Sequence, residues 1–259
     1  MNKGVDVSKH NGSINWDHVT ADFAILRAGY GKLISQKDPK FENNYLGCKS
    51  NSIPVGVYWY SYATTEAEAK KEANVCLEVI KNKTFEMPIF YDVEESKQFK
   101  LGKSKVSKII RAFLETVEKA GYFVGLYMSR SPFQTYVEDD IKKRYAIWLA
   151  EYNSKLNYSG PVGIWQYSST GKMNGINGNV DMNKCFVDYP KIIKNAKLNG
   201  FGKNKKTVEQ IAKEVIAGKW GNGEDRKKRL ISAGYNYNAV QKKVNELIQM
   251  NLNEVKKDE

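Results

Sequence analysis

Histidine is nearly absent from this chain, with only His10 and His18 among 259 residues, and cysteine is scarce at three. The cysteines, Cys48, Cys76 and Cys185, are widely spaced and odd in number. That excludes a disulfide framework and fits free thiols made in a reducing compartment. So few soft ligands also exclude a zinc site, and no metal or other cofactor is expected. No apolar run approaches the roughly 20 residues that a bilayer-spanning helix needs, so membrane insertion is not expected. The opening MNKGVDVSKHNG has no apolar h-region, so the protein reads as made in the cytoplasm without a signal peptide. No stretch alternates basic with aromatic residues, which argues against a single-strand nucleic-acid platform.

What is present suits a globular protein with a substantial core: 41% hydrophobic and 12% aromatic residues. The formal net charge of +12 draws the protein toward polyanions, bacterial wall polymers among them, without choosing one. Nothing in the sequence specifies an oligomer.

Short β-branched and aromatic runs recur at Gly4–Val7, Phe23–Ala28, Pro54–Tyr62, Met87–Glu94, Tyr122–Ser129, Ala146–Tyr152 and Gly163–Ser168. Helical patterns at Glu66–Lys81, Lys103–Ala120 and Pro132–Lys143 separate several of them. Alternation of this kind predicts an α/β fold with a parallel sheet. Because helices thin out in the last third, the expected form is an irregular TIM-like β/α barrel. The pattern breaks at the Gly-, Asn- and Lys-rich KIIKNAKLNGFGKNKK, read as a domain exit followed by a linker. Beyond it, apolar stripes at Val208, Ile211, Ala212, Val215, Leu230, Val240, Val244 and Leu247 predict a small three-helix bundle. Thr207 and Gln210 fit a capping box, and Gly218 and Gly234 fit helix C-caps. The predicted divisions are a barrel at 1–192, a linker at 193–206, the bundle at 207–251 and a tail at 252–259.

Functional side chains of parallel barrels gather where strands end. There IFYDVEES places Asp92 and Glu94 at i and i+2, on one face of a strand and about 6.6 Å apart along it. Two close carboxyls push their pKa values apart, so one keeps a proton while its neighbour stays charged. Glycoside hydrolysis needs that division, although metal ligation or plain surface charge also explains a lone D-x-E. Asp6, after the first strand, and Asp181, on a late strand or loop, face the same cavity if the barrel closes. Tyr60, Tyr62, Tyr127, Trp148 and Gln166 lie at other strand ends and are the candidate sugar-contacting residues. Arg27 reads as a structural ion-pair partner.

The ordered motifs GVDVSKHNGSINW, FAILRAGYG, DPKFENNY, PVGVYWYSYA, IFYDVEES, GLYMSR, IWLAEY, IWQYSS and VDMNKC resemble the family-25 glycoside hydrolases over about residues 1–190. The resemblance implies a muramidase, or lysozyme, of the phage-lysin type. Such an enzyme cleaves the β-1,4 bond between N-acetylmuramic acid and N-acetylglucosamine. It also implies Glu94 as general acid, Asp92 as its charged partner, and Asp6 and Asp181 as the remaining acidic residues of the pocket. Asp92 with Asp181 would orient the substrate's N-acetyl group as nucleophile; an inverting route with Asp6 or Asp181 holding water stays open. VIAGKWGNGEDRKKRL and AGYNYNAVQKKVNEL resemble the family-7 cell-wall-binding repeat. That implies a peptidoglycan partner, with Trp220, Arg226 and Arg229 as candidate contacts. Trp220, with Tyr235 and Tyr237, is equally a candidate for the bundle's core. The rival expectation from another class is a non-catalytic peptidoglycan-binding protein on an inactivated barrel.

Overall fold

The computed structural model describes residues 2–202 and 206–255. Eight strands close into a barrel in sequence order: β1 (Asn2–Val7), β2 (Phe23–Tyr30), β3 (Val55–Tyr60), β4 (Ile89–Asp92), β5 (Val124–Ser129), β6 (Ala146–Ala150), β7 (Ile164–Met173) and β8 (Ile176–Cys185). Strands β1 to β7 pair in parallel, whereas β8 runs antiparallel to both β7 and β1. The α/β expectation holds, with an antiparallel closure added. Its cause is local: Asn174-Gly175 turns β7 directly into β8, Gly175 supplying a φ of 84°. A helical crossover is therefore not needed there.

Alternation along the strands makes two cores. Phe23, Ile25, Phe90, Tyr127, Trp148 and Ile164 fill the barrel. The intervening Ala24, Leu26, Val57, Trp59, Tyr91, Leu126 and Leu149 face the helices. Inside, large rings sit over glycines: a Cβ on Gly125 would lie 2.5 Å from Cε1 of Phe90. The outer layer begins with α1 (Phe41–Ser50), α2 (Glu66–Ile80), α3 (Ser96–Phe99) and α4 (Lys103–Lys119). Buried Val106, Ile109, Ile110, Phe113, Leu114 and Val117 give α4 its helical stripe, and Phe113 stacks on Tyr91 at 3.9 Å between centroids.

Several expectations need correction. The helix predicted over Pro132–Lys143 is two, α5 (Arg130–Tyr136) and α6 (Asp139–Arg144). Val137 is extended and fully buried between them. Ser107 makes the break tolerable: its hydroxyl donates to the Tyr136 carbonyl (3.3 Å) and accepts from the Glu138 N–H (3.0 Å). Strand β4 stops at Asp92, so Glu94 lies just past it. The predicted linker at 193–206 begins inside packed structure. Helix α7 (Tyr189–Asn195) buries Ile193, and Asn199 is buried beneath the barrel. Its amide donates to the carbonyls of Phe85 (3.1 Å) and Met87 (2.9 Å), while its oxygen accepts from the Phe123 N–H (2.6 Å). A polar residue in a linker-like run thus closes the floor under β4 and β5.

The bundle consists of α8 (Val208–Ile216), α9 (Gly223–Ser232) and α10 (Tyr237–Val255). Thr207 and Gln210 form the expected capping box, and Gly218 and Gly234 have φ of 74° and 75°. The expected stripe is buried except for Val208, 41% exposed, and Leu247, which packs at the core's edge. Four residues of the predicted tail, 252–255, belong to α10; residues 256–259 lie outside the described residues. Removing the Asn199 amide strands three buried backbone groups. Asn199→Ala should therefore cost about 1–3 kcal/mol in urea denaturation. An unchanged midpoint would mean that the segment is a linker after all.

Candidate active site

Closing the barrel puts Asp6 on β1 directly opposite Asp181 on β8. Asp92, ending β4, is in register with Tyr60 on β3 and Tyr127 on β5. Val93 is fully buried in the helix-side core, so the residues flanking it, Asp92 and Glu94, both face the barrel mouth. The strand logic that pairs these two carboxyls therefore survives although β4 ends one residue after Tyr91.

Asp6, only 5% exposed, is held by side-chain amides. Its Oδ2 accepts from Nδ2 of Asn183 (2.8 Å) and Nε2 of Gln166 (2.9 Å). The indole of Trp148, a donor only, binds Oδ1 of Asn183 at 2.8 Å, which fixes the way that amide faces. The hydroxyls of Tyr127 (2.8 Å) and Tyr152 (3.0 Å) donate to Oε1 of Gln166 and do the same there. Burial, then repulsion by Asp181, pushes Asp6 up to about 8 despite those hydrogen bonds.

Asp92 is 4% exposed, and its Oδ1 is buried without a hydrogen-bond partner. Burial first, then the charges of Glu94 and Asp6, raises it well above the usual carboxylate range, with Arg27 opposing. Arg27, on β2, donates from Nε to Asp38 at 2.7 Å, while its Nη2 is buried and unpartnered. So Arg27 is an ion-pair partner, as expected, but of Asp38. Glu94 is exposed at the mouth as a residue, yet its carboxyl is partly desolvated there. That loss of hydration raises its pKa, helped by the charges of Asp181 and Glu95 and opposed by the Tyr127 hydroxyl. Asp181 is raised by desolvation too. The Tyr60 hydroxyl donates to Glu95, the neighbour of Glu94, at 2.9 Å.

The expected sugar contacts divide. Tyr62, 41% exposed, and half-buried Tyr60 form an aromatic rim with rings 5.2 Å apart. Trp148, however, is 1% exposed, Gln166 3% and Tyr127 6%. They are buried, and their polar atoms orient Asp6 and its neighbours. Tyr152, 57% exposed at the end of IWLAEY, is an aromatic that the sequence reading passed over. Asn183 was missed as well. The rim rests on a buried carboxylate, since Glu72 accepts from the Tyr62 N–H (2.8 Å) and the Tyr91 hydroxyl (2.7 Å).

In the bundle, Trp220 sits edge-to-face on Tyr235, and its indole donates to Glu214 at 3.1 Å, a packing role. Arg226 donates to the Gly221 carbonyl and to Asn222, both at 3.0 Å, and Arg229 pairs with Asp225 at 2.9 Å. A cleft of about 570 Å³ lies between barrel and bundle, bordered by Lys49, Glu86, Lys194 and Lys227. None of Asp6, Asp92, Glu94 and Asp181 lines it.

The raised pKa of Asp6 has a sign for stability. Between its ordinary value of 3.8 and about 8 the folded state holds a proton that the unfolded chain releases. Stability therefore falls as pH rises through that window and levels off above it. Asp6→Asn should flatten this slope, melting above wild type at pH 8 with the gap closing toward pH 4. Parallel melting curves across the range would contradict the assignment.

Residues 5–176 match the model of Glycosyl hydrolases family 25, and residues 209–248 match the CW_7 repeat. The chain is 35% identical to the modular autolysin LytC of Streptococcus pneumoniae, solved with a synthetic peptidoglycan ligand. That likeness covers 70% of this chain and 46% of that one, with a TM-score of 0.63. It is 29% identical to the lysozyme of Streptococcus phage Cp-7 over 76% of this chain and 57% of the relative. The catalytic domain of endolysin ply40, from bacteriophage P40 of Listeria monocytogenes, is also 29% identical, at a TM-score of 0.61 over 75% of this chain and 97% of that one. The chain thus spans about half the length of the autolysin and the phage lysozyme. With its closed barrel, its converging carboxyls and a family match over most of its length, the chain belongs to glycosyl hydrolases family 25 and is a glycoside hydrolase carrying one CW_7 cell-wall-binding repeat.

Proposed function

We propose that the protein is a muramidase that lyses bacterial cell walls by hydrolysing the β-1,4 bond between N-acetylmuramic acid and N-acetylglucosamine. The observation that carries this reading is the meeting of Asp6, Asp92, Glu94 and Asp181 in one mouth where every carboxyl is raised. Glu94, exposed at the mouth, protonates the departing glycosidic oxygen and afterwards takes a proton from water. Asp92, with Asp181 across the mouth, orients the N-acetyl group that attacks the anomeric carbon. Asp6, locked by its two amides, sets the field around them. Likeness to a phage lysozyme and a phage endolysin supports an endolysin role. The repeat would hold the barrel on the wall between cuts.

Glu94→Gln should reduce turbidity loss of purified peptidoglycan by roughly 10²–10⁴-fold while co-sedimentation with insoluble walls persists. Undiminished lysis would remove Glu94 from its role. A wild type that sediments with walls without clearing them would favour the non-catalytic binder. Mass spectrometry of the released fragments should find muramic acid at the new reducing end. Proton NMR of the first-formed anomer should show retention; inversion would replace the N-acetyl group by a directly attacking water.

A further inference from the structure

Strand β4 ends at Asp92, so no sheet ladder holds Glu94 in place. Its neighbours are held instead. On one side Val93 is fully buried, and its N–H donates to the Tyr127 carbonyl at 3.2 Å. On the other, the Glu95 N–H donates to Oε1 of Gln98 at 3.2 Å, while the Glu95 carboxylate accepts from the Tyr60 hydroxyl at 2.9 Å. Gln98 belongs to the four-residue helix α3, and an oxygen turned back to the N–H before a helix is an ordinary cap. Such a cap does not require its NH₂ end to be buried. Here Gln98 is fully buried, and Nε2 reaches the end of β3, donating to the Ala63 carbonyl (2.9 Å) and to Oγ of Ser61 (2.8 Å).

That amide has one orientation. The Ala63 carbonyl can only accept and the Glu95 N–H can only donate, so Nε2 must face β3 and Oε1 must face the segment carrying Glu94. The far end of the network runs in the same sense. Ser61 accepts from Gln98 and from the Ala63 N–H (3.2 Å) and donates to the Tyr91 hydroxyl (2.7 Å), which donates to Glu72 (2.7 Å). Burial, then the charge of Glu72, raises Tyr91 well above its usual range, so its hydroxyl keeps the proton it donates. Gln98, Ser61 and Tyr91 are all fully buried, so breaking one link leaves a polar group unpaired.

We propose that Gln98 is the positioning residue of Glu94. Its amide bridges the ends of β3 and β4 and fixes the backbone on which the acid stands at the open edge. Fully buried, Gln98 touches no sugar and acts through Glu94. The inference rests on the reading of Glu94 as general acid and deepens it. A reacting group misplaced by about 1 Å loses about 100-fold in rate, so a hold of this kind matters most at an exposed residue beyond its strand.

Gln98→Met keeps the side-chain length and removes the hydrogen bonds. On soluble wall glycan its kcat should fall by about 10–100-fold with KM changed less than about threefold, and co-sedimentation with walls should persist. In a Glu94→Gln background the same substitution should cost kcat less than about twofold, because the acid it places is gone. Full kcat in Gln98→Met, or an equal loss in both backgrounds, overturns the positioning role and leaves the muramidase intact. Undiminished cleavage by Glu94→Gln, or no cleavage by wild type, overturns the acid assignment and the positioning role with it. Native-state amide exchange of the wild type needs no substitution. The Glu95 N–H should exchange as slowly as the amides of β4, although it lies outside the strand. Exchange at the rate of an exposed loop amide overturns the clamp.

Discussion

Asp6 is a carboxylate inside a barrel, and burying an isolated charge there would cost more than a domain's whole margin of stability. The protein offsets this with donors whose direction is not negotiable. Trp148 can only donate, so Asn183 must turn its NH₂ toward Asp6; Tyr127 and Tyr152 similarly direct Gln166. These hydrogen bonds span β1, β5, β6, β7 and β8, tying together the strands that the closure brings side by side. The antiparallel course of β8 is part of the device, because it sets Asn183 and Asp181 on the same inward face as Asp6. Loosening any partner would free an amide to rotate away from Asp6.

With Asp6 anchored, the rest of the cluster divides by depth. Asp92 and Asp6 are nearly sealed, whereas Glu94 stands at the open edge where a sugar oxygen can arrive. Burial first, joined by repulsion within the group for Asp6, Asp92 and Glu94, raises these carboxyls above the usual range. Arg27 opposes the rise of Asp92 while also pairing with Asp38. The site therefore remains proton-rich without becoming electrically inert.

Much of this was legible in the sequence, and the failures share a cause. Period-2 apolar runs located β1 to β7, and IFYDVEES located the acid pair, since burial leaves a compositional trace. Strand β8 was only half visible: INGNVDMNKC is polar because its inward residues serve the site rather than the core. Trp148 and Gln166 were drawn to the site as candidate contacts, but residue type does not tell a ring touching sugar from an indole steering an amide. Asn199 read as linker for the same reason. Its value lies in three backbone groups that no local pattern reveals.

The same distinction between engaged and available polar groups bears on the bundle. Arg226, in the first turn of α9, ties that helix to the turn before it by donating to the Gly221 carbonyl and to Asn222. Arg229 is different. Its pair with Asp225 is one turn along an exposed helix, both side chains 56% exposed, and such pairs hold by no more than about 1 kcal/mol. Of the two arginines, Arg229 thus holds the more easily broken contact, and Arg226 is the one tied into its helix entry.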